Sequence, residues 1–404
     1  MTSLGNADMY LAKFDASNQL VWAKKRGISQ DEYCNDAAID SAGNIYSVGL
    51  WNTDVYVYKS NPMGDTVWTR RIAATQFYSS AYSVATDAAG NVYVTGLHYG
   101  LTLFPGTLGG SDVFVLKYNT NGTLLWSRTF GGTSSETGTG IAVDGSGNVY
   151  TIGNFRGLVD FNPSTAAVDT FFLTSNGSSD IFITKFDSSG TFRWAVHAGG
   201  LASDLARDIV TDALGNIYVS SVFVNMATYG STVLTAVSSV SSDVAISKLD
   251  SNGNFIWTQQ IGGTGTESSS GLDIDASGTL YLSGYFTDTA DFDPGPGVFT
   301  LITKGATDVF VVKLSQLALT TEELVASATN VTVYPNPAGD EFTIRSAAAL
   351  QNITLHSVIG EKILGIDNPS LTQKISIRDL PPGMYLVNGI GNGFRFSKKL
   401  IKSN

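Results

Sequence analysis

Hydrophobic and polar positions alternate in short runs along most of the chain, and two phrases recur. The first joins an Asp, a Gly-containing turn and a Tyr-bearing run: DSAGNIYSVG from Asp40, DAAGNVYVTG from Asp87, DGSGNVYTIG from Asp144, DALGNIYVSS from Asp212 and DASGTLYLSG from Asp275. The second runs from Asp through Lys to Trp: Asp8 to Trp22, Asp54 to Trp68, Asp112 to Trp126, Asp180 to Trp194 and Asp243 to Trp257, with a sixth copy, DVFVVKL at Asp308, that stops before a Trp. Period-two runs rich in Val, Ile, Tyr, Phe and Thr, bounded by Gly, Asn, Asp and Ser, predict short strands. The Asn-Gly, Ser-Gly and Gly-Asn pairs supply the positive φ that tight hairpins need. No stretch sustains a helical period, so the chain is expected to be all-β.

One repeat reads as four strands: A (GIAVD, 140–144), B (NVYTIG, 148–153), C (DIFITKF, 180–186) and D (FRWAVHA, 192–198). Four antiparallel strands that repeat strand for strand form a β-propeller blade, each covering its neighbour's apolar face. Residues 1–316 hold five A–B pairs, six C strands and five D strands. Either five or six blades follow, with the D strand near Trp22 completing the blade of Asp308–Leu314, or the chain lacks its beginning. The first residues carry neither the basic nor the apolar region of a signal peptide, which fits the second expectation.

From Leu317 the pattern breaks. Residues 317–330 are a polar linker, and 331–404 carry a new set of alternating runs expected to form a small immunoglobulin-like β-sandwich. Its marked segments are YPNPA (Tyr334, Pro335, Asn336, Pro337), HSVIGEKI at 356–363, DLPPGMYLV (with Gly383 and Tyr385) and the closing KKLIK (Lys398, Lys399). In this order they resemble the C-terminal sorting domain of proteins exported by the type IX secretion system of Bacteroidetes-type bacteria. The resemblance implies the secretion machinery at the outer membrane as a partner, passage through the periplasm, and a cargo released or held at the cell surface. The array resembles bacterial β-propeller repeats of large secreted proteins, usually seven-bladed, a family that implies no agreed chemistry.

Charge narrows the partners. The net charge is −11, and residues before Leu317 hold 28 of the 35 acidic and 16 of the 24 basic side chains. An acidic array repels phosphate backbones, so nucleic acid is not an expected partner. No run approaches the ~18 apolar residues of a membrane span. The single cysteine, Cys34, reads as buried filler at the start of an A strand. His98, His197 and His356 lie in different units without zinc-ligand spacing. No Gly-x-Ser-x-Gly elbow or phosphate loop occurs, and the GG and GTG strings read as turns.

Candidate sites come from what varies and what repeats. The B-to-C connections hold 4, 15, 26, 21 and 23 residues (50–53, 97–111, 154–179, 222–242, 285–307). Variable loops on a constant scaffold mark the working face. Acids recur in the D-to-A loops: Asp31 and Glu32, Glu136, Asp204, Glu267. Equal repetition argues for structure, with a cation or sugar-hydroxyl site as the alternative; general acid–base catalysis needs carboxylates in unlike environments. Trp22, Trp68, Trp126, Trp194 and Trp257 are expected between blades, whereas Trp51, outside that series, is a candidate for stacking on a glycan. Asp291 and Asp293 in DFDPGPG, with Asp160 and Asn162 in the sister segment, could ligate calcium; otherwise no cofactor is indicated. The expected function is a secreted or surface scaffold that binds a glycan or protein through its long-loop face. The alternative is a polysaccharide hydrolase with carboxylates in the propeller channel.

Overall fold

The computed structural model describes residues 7–27, 30–104, 106–163, 169–295, 297–315, 331–346, 349–357, 362–391 and 394–403. They are all-β, with no helix among them. Chain contacts separate two compact units, Met1–Leu314 and Ser315–Asn404. The expected linker, 317–330, lies outside the described residues.

The first unit is a succession of antiparallel sheets. β1 (Met9–Phe14) and β2 (Leu20–Arg26) form a two-stranded sheet, and β3 (Glu32–Ile39), β4 (Ile45–Trp51), β5 (Asp54–Ser60) and β6 (Thr66–Ile72) form a four-stranded one. The next holds β7 (Ser80–Thr86), β8 (Val92–His98), β9 (Asp112–Tyr118) and β10 (Leu124–Gly132). Then come β11 (Thr137–Val143), β12 (Val149–Phe155), β15 (Asp180–Phe186) and β16 (Phe192–Gly200), followed by β17 (Leu205–Thr211), β18 (Ile217–Val224), β21 (Ser242–Leu249) and β22 (Phe255–Gly263). These are the predicted strands A to D in order. Among the described residues the last sheet has A, B and C: β23 (Glu267–Ile274), β24 (Leu280–Phe286) and β27 (Asp308–Leu314). The strand around Trp22 does not complete it. Instead β2 pairs with β1, Met9 opposite Arg26, because the Asp15–Gln19 turn closes a local hairpin with Asp15 N–H donating to Gln19 O at 3.0 Å.

The recurring phrases have separate jobs. In the A–B turn, Asp144 Oδ1 accepts from the amides of Ser146 and Asn148, both at 2.9 Å. Its Oδ2 accepts from Asn148 Nδ2 and the Tyr150 hydroxyl. One carboxylate thus fixes a turn, and Gly147 at φ +77° closes it. The C and D strands reach across to the next sheet. Lys185 lies over the Tyr150 ring at 5.1 Å and donates to Ser251 O at 2.8 Å. Trp194 Nε1 donates to that same carbonyl at 3.2 Å, and Gly253 sits against the indole face, where a side chain would press into it. The five recurrent Trp residues are therefore inter-sheet packing wherever the next turn exists to receive them. Apolar side chains fill the space between: Ile152, Ile181, Ile183, Ile209 and Val219 form one continuous buried cluster from two adjacent sheets. Each such side chain contributes about 1.5–3 kcal/mol by leaving water.

The second unit has two antiparallel sheets. One comprises β28 (Val331–Tyr334), β29 (Glu341–Ser346) and β32 (Thr372–Ser376); the other β31 (Lys362–Asp367), β30 (Leu350–Ser357), β33 (Gly383–Gly391) and β34 (Phe394–Lys402). Phe342, Ile344, Ile353, Leu355, Ile375, Val387 and Leu400 pack together as its core. Asn336 of YPNPA clamps the closing strand, accepting from Ile401 N–H at 2.8 Å and donating to Lys399 O at 2.6 Å.

Two outcomes follow. Asp144→Ala strips four donors of their acceptor and lowers array stability by on the order of 2 kcal/mol, as read from denaturant unfolding. Asn336→Ala frees β34 from YPNPA and weakens the second unit by about 1 kcal/mol, visible as faster amide exchange in residues 398–402.

Candidate functional site

The long B-to-C connections fold into two-stranded ribbons that reach back to the preceding sheet. β13 (Leu158–Asp160) and β14 (Phe172–Thr174) extend the sheet of β10, β19 (Met226–Tyr229) and β20 (Thr232–Thr235) that of β16, and β25 (Thr289–Asp291) and β26 (Thr300–Ile302) that of β22. Each docks through a Gly-Gly pair: Gly131 and Gly132 face Asp160 and Val159, Gly199 and Gly200 face Thr228 and Ala227, Gly262 and Gly263 face Asp291 and Ala290. These pairs, expected as turns, are strand ends. A Cβ at Gly200 would collide with Met226 O, and one at Gly263 with Thr289 O; only glycine permits the backbones to meet.

The ribbons leave β14, β20 and β26 as outermost strands. Around them large apolar side chains face solvent: Phe172, Val233, Phe299 and Ile302 are each more than half exposed, and Val240 is 91% exposed. Between two of the ribbons a groove of about 530 Å³ is lined by Leu173, Asn176, Val196, His197, Thr228 and Phe255.

The recurring acids lie under the ribbons. Glu136, Asp204 and Glu267 are fully buried, not presented on a loop surface. Glu136 Oε2 accepts from Gly132 N–H at 2.7 Å and Asp204 Oδ2 from Gly200 N–H at 2.6 Å. Each meets the acid that opens a C strand. A Cβ at Gly199 would stand 2.8 Å from both Asp180 Oδ1 and Asp204 Oδ2, and one at Gly131 would collide with Asp112 Oδ1 at 3.0 Å from Glu136 Oε2. Burial pushes Glu136 up to about 7, opposed by the Gly132 amide and reinforced by Asp112. Asp112 and Asp204 rise to about 6 for the same first cause. Glu267 rises to about 8 through burial and the charge of Asp243. The C-strand partners Asp112, Asp180 and Asp243 escaped sequence reasoning; their recurrence at each C-strand start was visible, but not their closeness to the D-to-A acids.

The other predicted residues are dispersed. The Trp51 ring is stacked on Tyr58 at 6.0 Å with Arg71 5.5 Å over it. Asp160 Oδ1 accepts from the amides of Asn162 and Phe171, Asp291 Oδ1 from those of Asp293 and Phe299, and Asp293 Oδ1 from Gly295 N–H. These oxygens hold turns at the ribbon ends. Among the described residues no group of three or more His, Cys, Asp or Glu gathers as a metal centre. Cys34 is exposed rather than buried; among the described residues the sheet before it consists of β1 and β2, with no A strand against β3. In the second unit Tyr334 is half-exposed and the Tyr385 hydroxyl donates to Pro381 O at 2.7 Å.

Comparison with known families places both halves. Residues 125–154 match a beta-propeller repeat, and residues 332–403 match a secretion system C-terminal sorting domain. The chain carries propeller repeats and a type IX sorting domain. The propeller match runs along one D strand, through a Gly-Gly pair, into the next A–B hairpin. Among curated proteins, an uncharacterised WD repeat-containing protein of Acanthamoeba polyphaga mimivirus is 23% identical over 78% of this chain and 29% of its own length. The regulatory protein FlaEY of Caulobacter vibrioides is 32% identical over 28% of this chain and 11% of its own. The chain thus spans under a third of either relative. Among solved structures, a protein of unknown function from Bacteroides caccae aligns with 76% of this chain and 99% of its own at 12% identity and a TM-score of 0.39. A Lactobacillus plantarum protein covers 91% and 94% at 13% identity and a TM-score of 0.40. The sorting domain supports secretion to the cell surface or beyond, and interaction with the type IX machinery. No helix among the described residues is long and apolar enough to cross a membrane.

The buried carboxyls set a pH dependence for the propeller array. Their folded pKa values stand above the unfolded ones, so their contribution is fully present below the ordinary carboxylate range and is lost as pH rises through about 6 to 8. In chelator-treated solution the array's Tm falls from pH 5 to pH 8. Glu136→Gln with Glu267→Gln flattens that slope in a thermal scan series.

Proposed function

We propose that this chain is a secreted or cell-surface propeller scaffold, exported through residues 331–404, that binds a protein partner along its ribbons. The observation that carries the reading is the set of three outermost strands, β14, β20 and β26, bordered by exposed Phe172, Val233, Phe299 and Ile302. An open strand edge offers backbone donors and acceptors to an extended segment, and apolar neighbours provide side-chain anchors. A glycan would ask for flat aromatic faces, whereas the face of Trp51 is already taken by Tyr58. The hydrolase alternative requires two unlike carboxylates about 5–10 Å apart in an open cleft. The acids here are buried and bonded to strand amides, which supports a scaffold.

Two experiments test this reading. Deleting residues 331–404 retains the chain inside the cell, while the full chain reaches the surface or the medium; equal export of both sinks the addressing half. A photo-reactive residue at Phe172, Val233 or Ile302 of the exported chain gives a discrete protein adduct, and one at Asn121 on the opposite turns does not. Absence of adducts at all three ribbon positions sinks the binding half.

A further inference from the structure

The charge where each D-to-A loop meets the start of a C strand does not balance in the same way along the array. Five junctions are structurally equivalent: the amides of Glu32, Ser79, Glu136 and Asp204 donate to Ala7, Thr53, Ser111 and Ser179, each the residue before a C-strand Asp, and Glu267 O accepts from Ser242 Oγ, also just before one. At the first junction Lys25 Nζ stands 3.5 Å from Asp8. At the second, Ser79 replaces the loop acid and Arg71 Nε binds Asp54 at 2.5 Å. The residue three past the Trp supplies the cation in both. In the remaining three that residue is Thr129, His197 or Gln260; His197 Nδ1 stands 3.4 Å from Asp180 Oδ2 and Gln260 Nε2 donates to Asp243 Oδ2 at 2.5 Å, so none of the three brings a permanent cation, yet both acids are present.

Those three junctions also hold buried oxygens with no hydrogen bond: Asp112 Oδ1, Glu136 Oε1, Asp180 Oδ1, Asp243 Oδ1 and Glu267 Oε1. Their residues are at most 3% exposed. A buried carboxylate is expected to be paired, and at the two sister junctions the pairing group is a cation. We propose that Asp112 with Glu136, Asp180 with Asp204, and Asp243 with Glu267 each take one divalent cation from solution, calcium by ligand type. All the ligands are oxygens. The carboxylates provide part of the shell, with backbone carbonyls and water completing it, the flexible set that calcium accepts and that zinc, with its tetrahedral nitrogen and sulfur ligands, does not favour. Exported modules typically bind calcium at about 10⁻⁴ to 10⁻³ M, and the sorting domain sends this chain to such a setting. The ion would lie beneath the ribbon, tying the D strand of one sheet to the C strand that opens beside it.

The test is equilibrium dialysis of the full chain, stripped with chelator, against calcium chloride at pH 7.5, with magnesium chloride as a second probe and thermal unfolding in parallel. About three calcium ions per chain are expected, with a Tm that rises over the millimolar range. Glu136→Gln, Asp204→Asn and Glu267→Gln each remove one ion, and Asp54→Asn, at the Arg71 junction, removes none. No calcium bound, or three ions still bound in the triple variant, overturns the proposal. So does a stability that responds to acidification alone and not to calcium, because the pairs then hold protons. If the triple variant fails to fold, the ion count of the unsubstituted chain still decides.

Discussion

One backbone carbonyl per sheet carries the connection between repeats. Thr120 O, Ser188 O and Ser251 O each accept from two donors of the preceding sheet, a lysine and an indole. Such a carbonyl can be reached only if the C–D turn is short and fixed, and each turn is fixed by its own Asp or Asn and closed by a glycine at positive φ. The lysine must also be held, and the Tyr ring of its own sheet does that. Asp, Gly, Tyr, Lys and Trp therefore recur together because they solve one geometric problem at each boundary. Removing any of them exposes the carbonyl or leaves a charged group without a place.

The regular part of this arrangement was legible from the residues alone. Strand periodicity and the turn pairs located all four strand types, and the fixed place of Trp on the D strand pointed to packing between sheets, as found for Trp126 and Trp194. The ribbons were not legible. β13 and β25 are three residues long, too short to show a period, and their partners are Gly-Gly pairs without side chains to form a pattern. Burial of Glu136 and Glu267 was hidden for a related reason: it depends on ribbons donated by the following repeat. Pairing of β2 with β1 shows a local hairpin prevailing over closure with a distant strand.

The second unit repeats the lesson in a different way. YPNPA and KKLIK stand far apart in the chain, yet Asn336 bonds to the backbone of Lys399 and Ile401. Two segments of a sorting signal are thus one structural element, and the order of the motif reflects a strand that must be clamped at its end. The array supplies cargo and the second unit an address, and each has its own core.

The direction of the ribbons bears on how the array assembles as it leaves the ribosome or a translocation pore. The sheet that begins at Ser80 receives its last strand, Phe172–Thr174, from beyond the next A–B hairpin. The three sheets that a ribbon completes are therefore finished only after most of their successor has emerged, so vectorial folding of this part lags by nearly one repeat. Its leading edge always carries an uncovered D strand, the segment for which a chaperone would have most use.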